Sequence, residues 1–207
     1  MKKLIAIILM LACLVVTTAS AADLSKIEAH LPEAIDFTPF KTNDYSLYFN
    51  NYRYDAEIKS KNITLEYAPK NYSTYRYTLH FDVKIVASNS SVVAVPRIVE
   101  STSTYSDYKT SDLFIVNGEN RYEIVFNSDG VMVLGKTGFA ILEEIVASKK
   151  PVFIMPRYLV NSSTYSGYQL MSADKAIIKK FVADCHTSGL YDLASEIDDS
   201  VIITKFN

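Results

Sequence analysis

Imidazole and thiol groups are scarce in this chain: His30, His80 and His186 are its histidines, Cys13 and Cys185 its cysteines. His80 stands two residues before Asp82, and an extended backbone puts both side chains on one face. That pair is the nearest approach to a hydrolytic base with its orienting acid, and a hydrolase would also need a hydroxyl nucleophile beside it. The alternation of residue types around the pair assigns it to a solvent face, where such a pair is ordinarily just hydrated. Cys185-His186 puts a thiol next to an imidazole, but neighbours on a helix point about 100° apart, so adjacency alone makes no dyad. The sequence has no G-x-S-x-G elbow, no H-x-x-x-H or C-x-x-C spacing and no glycine-rich phosphate loop, so no metal and no cofactor is expected. The reading is a protein that is not an enzyme, with a hydrolase using His80 and Asp82 as the alternative.

A second constellation comes from a duplication. Residues 84–108 and 144–168 align without a gap, and 12 of the 25 positions are identical. The shared residues include Pro96/Pro156, Arg97/Arg157, Tyr105/Tyr165 and Tyr108/Tyr168. Arginine and tyrosine combine charge, planar area and a hydroxyl at low entropy cost. Arg97, Tyr105, Tyr108, Arg157, Tyr165 and Tyr168 are therefore the candidate binding residues. The competing reading makes them strand-packing tyrosines and solubilising arginines. Two copies are too few for a solenoid, so the pattern predicts paired hairpins within one β core. Proline donates no ladder hydrogen bond, which sends Pro96 and Pro156 to an edge or a bulge.

The elements that hold these residues are mostly strands. Tyr75, Tyr77, Leu79, Phe81, Val83 and Ile85 alternate with Arg76, Thr78, His80, Asp82 and Lys84, which predicts a strand with one buried and one wet face. Shorter alternating runs cover 45–49, 52–58, 63–67, 92–99, 113–116, 121–126, 131–134, 151–160 and 201–206. Asn117-Gly118 is the strongest hairpin signal. The period changes to helical at about 138–148, with Thr137 as N-cap, and again at about 173–186, with Ser172 as N-cap and Gly189 as stop. The Ile-Val-Ala-Ser shared by the two copies thus ends a strand in one and a helix in the other, because period outranks local identity. A short N-terminal helix spans Leu24 to Leu31, and Thr38-Pro39-Phe40 reads as an extended linker.

Lys2 and Lys3, the apolar run Leu4–Val16 and the small residues Ala19-Ser20-Ala21 have the pattern of a secretory signal peptide. The predicted organisation is 1–21 signal peptide, 22–40 N-terminal helix and linker, and 41–207 a single β-rich domain. A lipoprotein anchored at Cys13 is the alternative. After cleavage no stable membrane span is expected, and Cys185 has no thiol partner, which favours a buried apolar role. Loss of the two lysines leaves 23 acidic and 19 basic residues, and no basic block points to nucleic acid.

From Thr78 to Cys185 the order of elements resembles the periplasmic VasI/TagO proteins associated with type VI secretion. The similarity lies in Leu79–Ser91 followed by a strand, Phe139–Ser148 followed by Pro151–Arg157, and a last helix, Ala173–Cys185, ending on cysteine. The chain departs from that pattern in having no tryptophan and no second cysteine for Cys185. The resemblance implies a sandwich-like β domain with two helices and a non-enzymatic accessory role in the envelope. The expected fold is α+β, an antiparallel, sandwich-like β core with two packed amphipathic helices. The expected function is an exported, non-catalytic binding or accessory protein of the bacterial envelope or extracellular space, periplasmic or secreted, with a protein or cell-envelope component as partner. A periplasmic immunity or inhibitor protein is a further alternative.

Overall fold

The longest alternating run in the sequence folds as the longest strand. The computed structural model describes residues 35–50, 55–67, 75–87, 92–102, 112–156, 167–197, 199 and 203–206. The expected leader and the helix at Leu24–Leu31 lie outside the described residues. The chain forms β1 (Tyr45–Asn50), β2 (Asp55–Ser60), β3 (Ile63–Tyr67), β4 (Tyr75–Ala87), β5 (Val92–Thr102), β6 (Asp112–Asn117), β7 (Asn120–Val125) and β8 (Val131–Val133). Helix α1 (Lys136–Ala147), β9 (Val152–Pro156), β10 (Tyr168–Gln169), α2 (Ser172–Ser188), α3 (Leu190–Ala194) and β11 (Ile203–Phe206) complete it. One sheet has the order β1-β2-β4-β5-β8, with β3 also on β4, and the other β10-β9-β6-β7-β11. The fold is α+β with a sandwich-like β core.

Leu79, Phe81, Val83 and Ile85 on β4 are buried as their alternation demands. Phe81 meets Phe181 of α2 with ring centroids 5.2 Å apart, so α2 lies on this face of the first sheet. Helix α1 belongs to the second sheet. Its Glu144 carboxylate accepts hydrogen bonds from the Tyr122 hydroxyl at 2.5 Å, Asn120 at 2.8 Å and Asn117 at 2.9 Å. The apolar stripes of both helices join the same core cluster, with Phe139, Ile145, Phe181 and Cys185 all essentially inaccessible.

Several local expectations are corrected. Thr38–Phe40 is a 3₁₀ turn, not an extended linker, because Ile35, Phe37 and Phe40 are part of the core. Thr137 does not cap α1. Its N-cap is Gly135, and the cap comes from Asp199, far along the chain. The Asp199 carboxylate accepts the backbone N–H groups of Gly135, Thr137 and Gly138 at 2.8, 2.9 and 2.7 Å. A Cβ at Gly135 would collide with the Ile197 carbonyl, so glycine is what lets the C-terminal segment come this close. Ser172 does not cap α2 either. Met171 is the N-cap residue, and Asp174 reaches back to accept its N–H at 2.8 Å. Gly189 ends the helix as expected, at φ 82°. The hairpin loop between β6 and β7 is Gly118-Glu119, one residue later than the Asn-Gly signal implied, with Gly118 at φ 65°.

The two copies of the repeat part company in space. The first supplies β5 to one sheet and the second supplies β9 to the other. Ile85-Val86-Ala87 is strand and Ile145-Val146-Ala147 is helix, so the differing periods prevail over the identical residues. β9 and β10 pair antiparallel, with Tyr168 opposite Ile154, while the returning segment of the first copy lies outside the described residues. Pro96 sits on a strand paired on both sides, not at an edge. Its carbonyl accepts the Leu134 N–H at 2.9 Å, just beyond the last residue of β8. In an antiparallel ladder the N–H and C=O of one residue point the same way, so the donor that proline lacks would have pointed past the end of β8.

Candidate functional site

The face of β4 expected to be wet is closed by charge. Asp82 is fully buried and His80 is 7% exposed. Cross-strand neighbours explain this: Asp82 lies opposite Lys59 and Arg97, and Lys84 opposite Glu57. Arg97 grips Asp82 with two hydrogen bonds, Nε to Oδ1 at 2.8 Å and Nη2 to Oδ2 at 2.5 Å, the bidentate geometry that suits a guanidinium. Arg97 also approaches Glu57 at 3.5 Å, Lys84 pairs with Glu57 at 3.0 Å and with Asp55 at 2.9 Å, and Lys59 pairs with Glu57 at 3.0 Å. Three carboxylates and three cations thus form one lattice across β2, β4 and β5. Burial pushes the Glu57 carboxyl up, but hydrogen bonds from Lys59 and Lys84 outweigh it and bring its pKa down to about 2.

The His80–Asp82 dyad does not form, because Asp82 is committed to Arg97. The Nε2 of His80 is buried and, among the described residues, has no hydrogen-bond partner. Cys185 is fully buried, and burial pushes its thiol well above the ordinary range. It is a core residue, as its isolation implied. His186 faces the other way, 2.8 Å from Glu143 and stacked on Tyr191 at 3.9 Å between ring centroids.

Of the six candidate binding residues, Tyr105, Tyr108, Arg157 and Tyr165 lie outside the described residues. The other two stand in different sheets, Arg97 on β5 and Tyr168 on β10. Tyr168 is half-buried and its hydroxyl donates to Asp174 at 3.1 Å.

A cleft that the sequence did not announce opens elsewhere. Lys59 is opposite Asp82 and Ile63 opposite Leu79, so Ser60, Lys61 and Asn62 face only Phe81 and His80. The extra residue is a bulge between β2 and β3, and bulges bend a strand and interrupt its ladder. Ser60 repairs the interruption: its Oγ accepts the Phe81 N–H at 3.0 Å and donates to the Lys61 carbonyl at 2.9 Å. The bend leaves a cleft of about 370 Å³ between the bulge, the start of β1 and the first half of α2, lined by Asp44, Tyr45, Ser60, Lys61, Ala173, Ala176, Ile177 and Lys180.

The walls of this cleft are mostly apolar and its rim is charged. Lys61 pairs with Asp44 at 2.7 Å, both well exposed. Two of the lining side chains share a partner: the Tyr45 hydroxyl and the Lys180 ammonium both donate to Asp184 Oδ2, at 2.6 and 2.9 Å. Burial, then the hydrogen bond to Asp184, push the Tyr45 hydroxyl far above its ordinary pKa, so it stays a neutral donor. Apolar walls with a few convergent polar groups are the usual make-up of a small-ligand site. The sequence signal was faint: the helical spacing puts Ala173 on the apolar stripe, whereas the structure exposes it together with Ala176, and a break between two alternating runs at 60–62 was the other trace. No family model, curated relative or solved structure matches this chain.

Proposed function

We propose that the protein is an exported, non-catalytic binding module, and that the cleft between β1, the β2–β3 bulge and α2 is its ligand site. The observation that carries this reading is the pair Ala173 and Ala176, exposed on α2 beside half-buried Ile177 in a cleft of about 370 Å³. Small side chains there keep open a space that a leucine or phenylalanine would fill. The ligand that fits is largely apolar with one polar end. Its apolar body lies on Ala173, Ala176 and Ile177, and its polar end meets the Lys61–Asp44 pair. That pair is exposed and of little energetic consequence by itself, so it can rearrange around a guest. Export is supported by the leader pattern in residues 1–21, and an accessory role in the envelope by the resemblance to the VasI/TagO proteins. The non-catalytic part is supported by the commitment of Asp82 to Arg97 and the burial of the Cys185 thiol.

The test is a ligand-observed NMR screen of small apolar compounds bearing a single polar group, followed by Ala176→Trp. The expected result is hits that compete with one another and that Ala176→Trp abolishes at unchanged thermal stability. Hits that bind Ala176→Trp undiminished would rule the cleft out.

A further inference from the structure

A buried imidazole with an unpartnered nitrogen is costly, because an unsatisfied polar group away from water loses its hydration without compensation. His80 is such a group: it is 7% exposed and, among the described residues, its Nε2 lacks a partner. Its position is as telling as its burial. It lies opposite the bulge, next to Phe81, whose N–H is tied to Ser60. The charges that act on it come from three strands: Glu57 and Lys59 on β2, Asp82 on β4 and Arg97 on β5. Together with Asp55 and Lys84, these form a lattice of equal opposite charge in which the carboxylates are already paired.

We propose that His80 is a proton-operated release for the bulge: protonation adds a fourth cation to a balanced, partly buried lattice and loosens β2 and β3 from β4. A charged imidazole there has two donors to satisfy. The carboxylate placed to take one of them, Asp82, is held bidentately by Arg97. The new charge is accommodated by letting in water, and the adjacent bulge is where the ladder is already interrupted. Burial lowers the pKa of His80 more than Asp82 raises it, so the net direction is down. The sign follows from linkage. The folded state holds this proton less tightly than the unfolded state, so stability is fully present above about pH 6.5 and declines as pH falls from there toward the folded-state pKa. Because Ser60 and Lys61 line the cleft, the same event loosens a cleft wall. That consequence alone rests on the cleft being the binding site.

The test follows the imidazole and the backbone separately. In the full chain, the three histidine rings are assigned with His30→Gln and His186→Gln and titrated by NMR, and amide hydrogen exchange is compared at pH 7.5 and 5.5 after correction for intrinsic rates. The expected result is a His80 ring titrating below pH 6.5, with added exchange at Ser60–Ile63 and Phe81–Val83. The β6–β7 hairpin of the other sheet should show no such gain. The unfolding constant should rise by up to about tenfold per pH unit over this range, the limit for one proton, and His80→Gln should flatten that rise. A His80 ring titrating at or above pH 6.5, or added exchange spread evenly over both sheets, would overturn the proposal. If His80→Gln fails to fold, the ring titration and the exchange map of the unsubstituted chain still decide. A fall in cleft affinity at pH 5.5 with no change in exchange would count against the release while leaving the cleft standing.

Discussion

Replacing Asp199 by alanine should cost more than any other single truncation of a polar side chain at a helix end. Its carboxylate satisfies three N–H groups at the start of α1, and those of Gly135 and Gly138 are buried. An ordinary N-cap contributes about 1 kcal/mol. Here the acceptor is a carboxyl group that faces the positive end of the helix dipole, and each buried donor left without a partner costs about 1–3 kcal/mol. Thr137 is nearer the surface and regains a water. The expected loss is therefore about 3–5 kcal/mol, a fall in Tm of roughly 10 °C for a domain of this size. Asp199→Asn should lose about 2–3 kcal/mol, since one oxygen is kept while the other becomes an amino group facing a donor. Urea unfolding measures both through the midpoint at constant m-value. An Asp199→Ala protein within about 0.5 kcal/mol of the original would refute the view that the C-terminal segment holds α1 in place.

The charge lattice makes a related prediction. Arg97→Met leaves Asp82 buried and unpaired and should cost about 3–5 kcal/mol, whereas the double change Asp82→Leu with Arg97→Met should recover most of it; additive losses in a double-mutant cycle would contradict the pairing. Glu57 has its pKa depressed to about 2, so its stabilising contribution is complete above about pH 4.5 and is lost as pH falls toward 2. Glu57→Gln should flatten the acid limb of the stability curve in that window, and an unchanged limb would count against the lattice. Cys185 is fully buried with its thiol pKa raised, so a thiol reagent should label it only as fast as the protein opens. Rapid labelling of the native chain would contradict the burial of Cys185 on α2.

The fold was legible where periodicity is strong. The alternation from Tyr75 to Ile85 located the central strand, and the helical spacing of Ala173, Ile177, Ile178, Phe181, Val182 and Cys185 located α2, although of these Ala173 is exposed and Ile177 only half-buried. The face bearing His80 and Asp82 was misread for a physical reason. Alternation distinguishes polar from apolar, and it cannot tell a hydrated polar face from one closed by its own ion pairs. Capping was misread because the sequence favours local partners such as Thr137, while the actual partner, Asp199, is joined by tertiary approach. The cleft was invisible because it arises from one surplus residue at Ser60–Asn62, which a pattern of period two registers only as a break. The repeat was plain in sequence but misleading about grouping, since β5 and β9 entered different sheets.

The central claim is that the cleft beside the bulge is where this protein holds its ligand. An amide chemical-shift map taken with any compound that binds tests it most directly. The largest shifts are expected at Tyr45, Ser60, Lys61, Ala176, Ile177 and Lys180, the residues that wall one space. Shifts centred instead on Arg97 or Tyr168, with those positions unmoved, would contradict it.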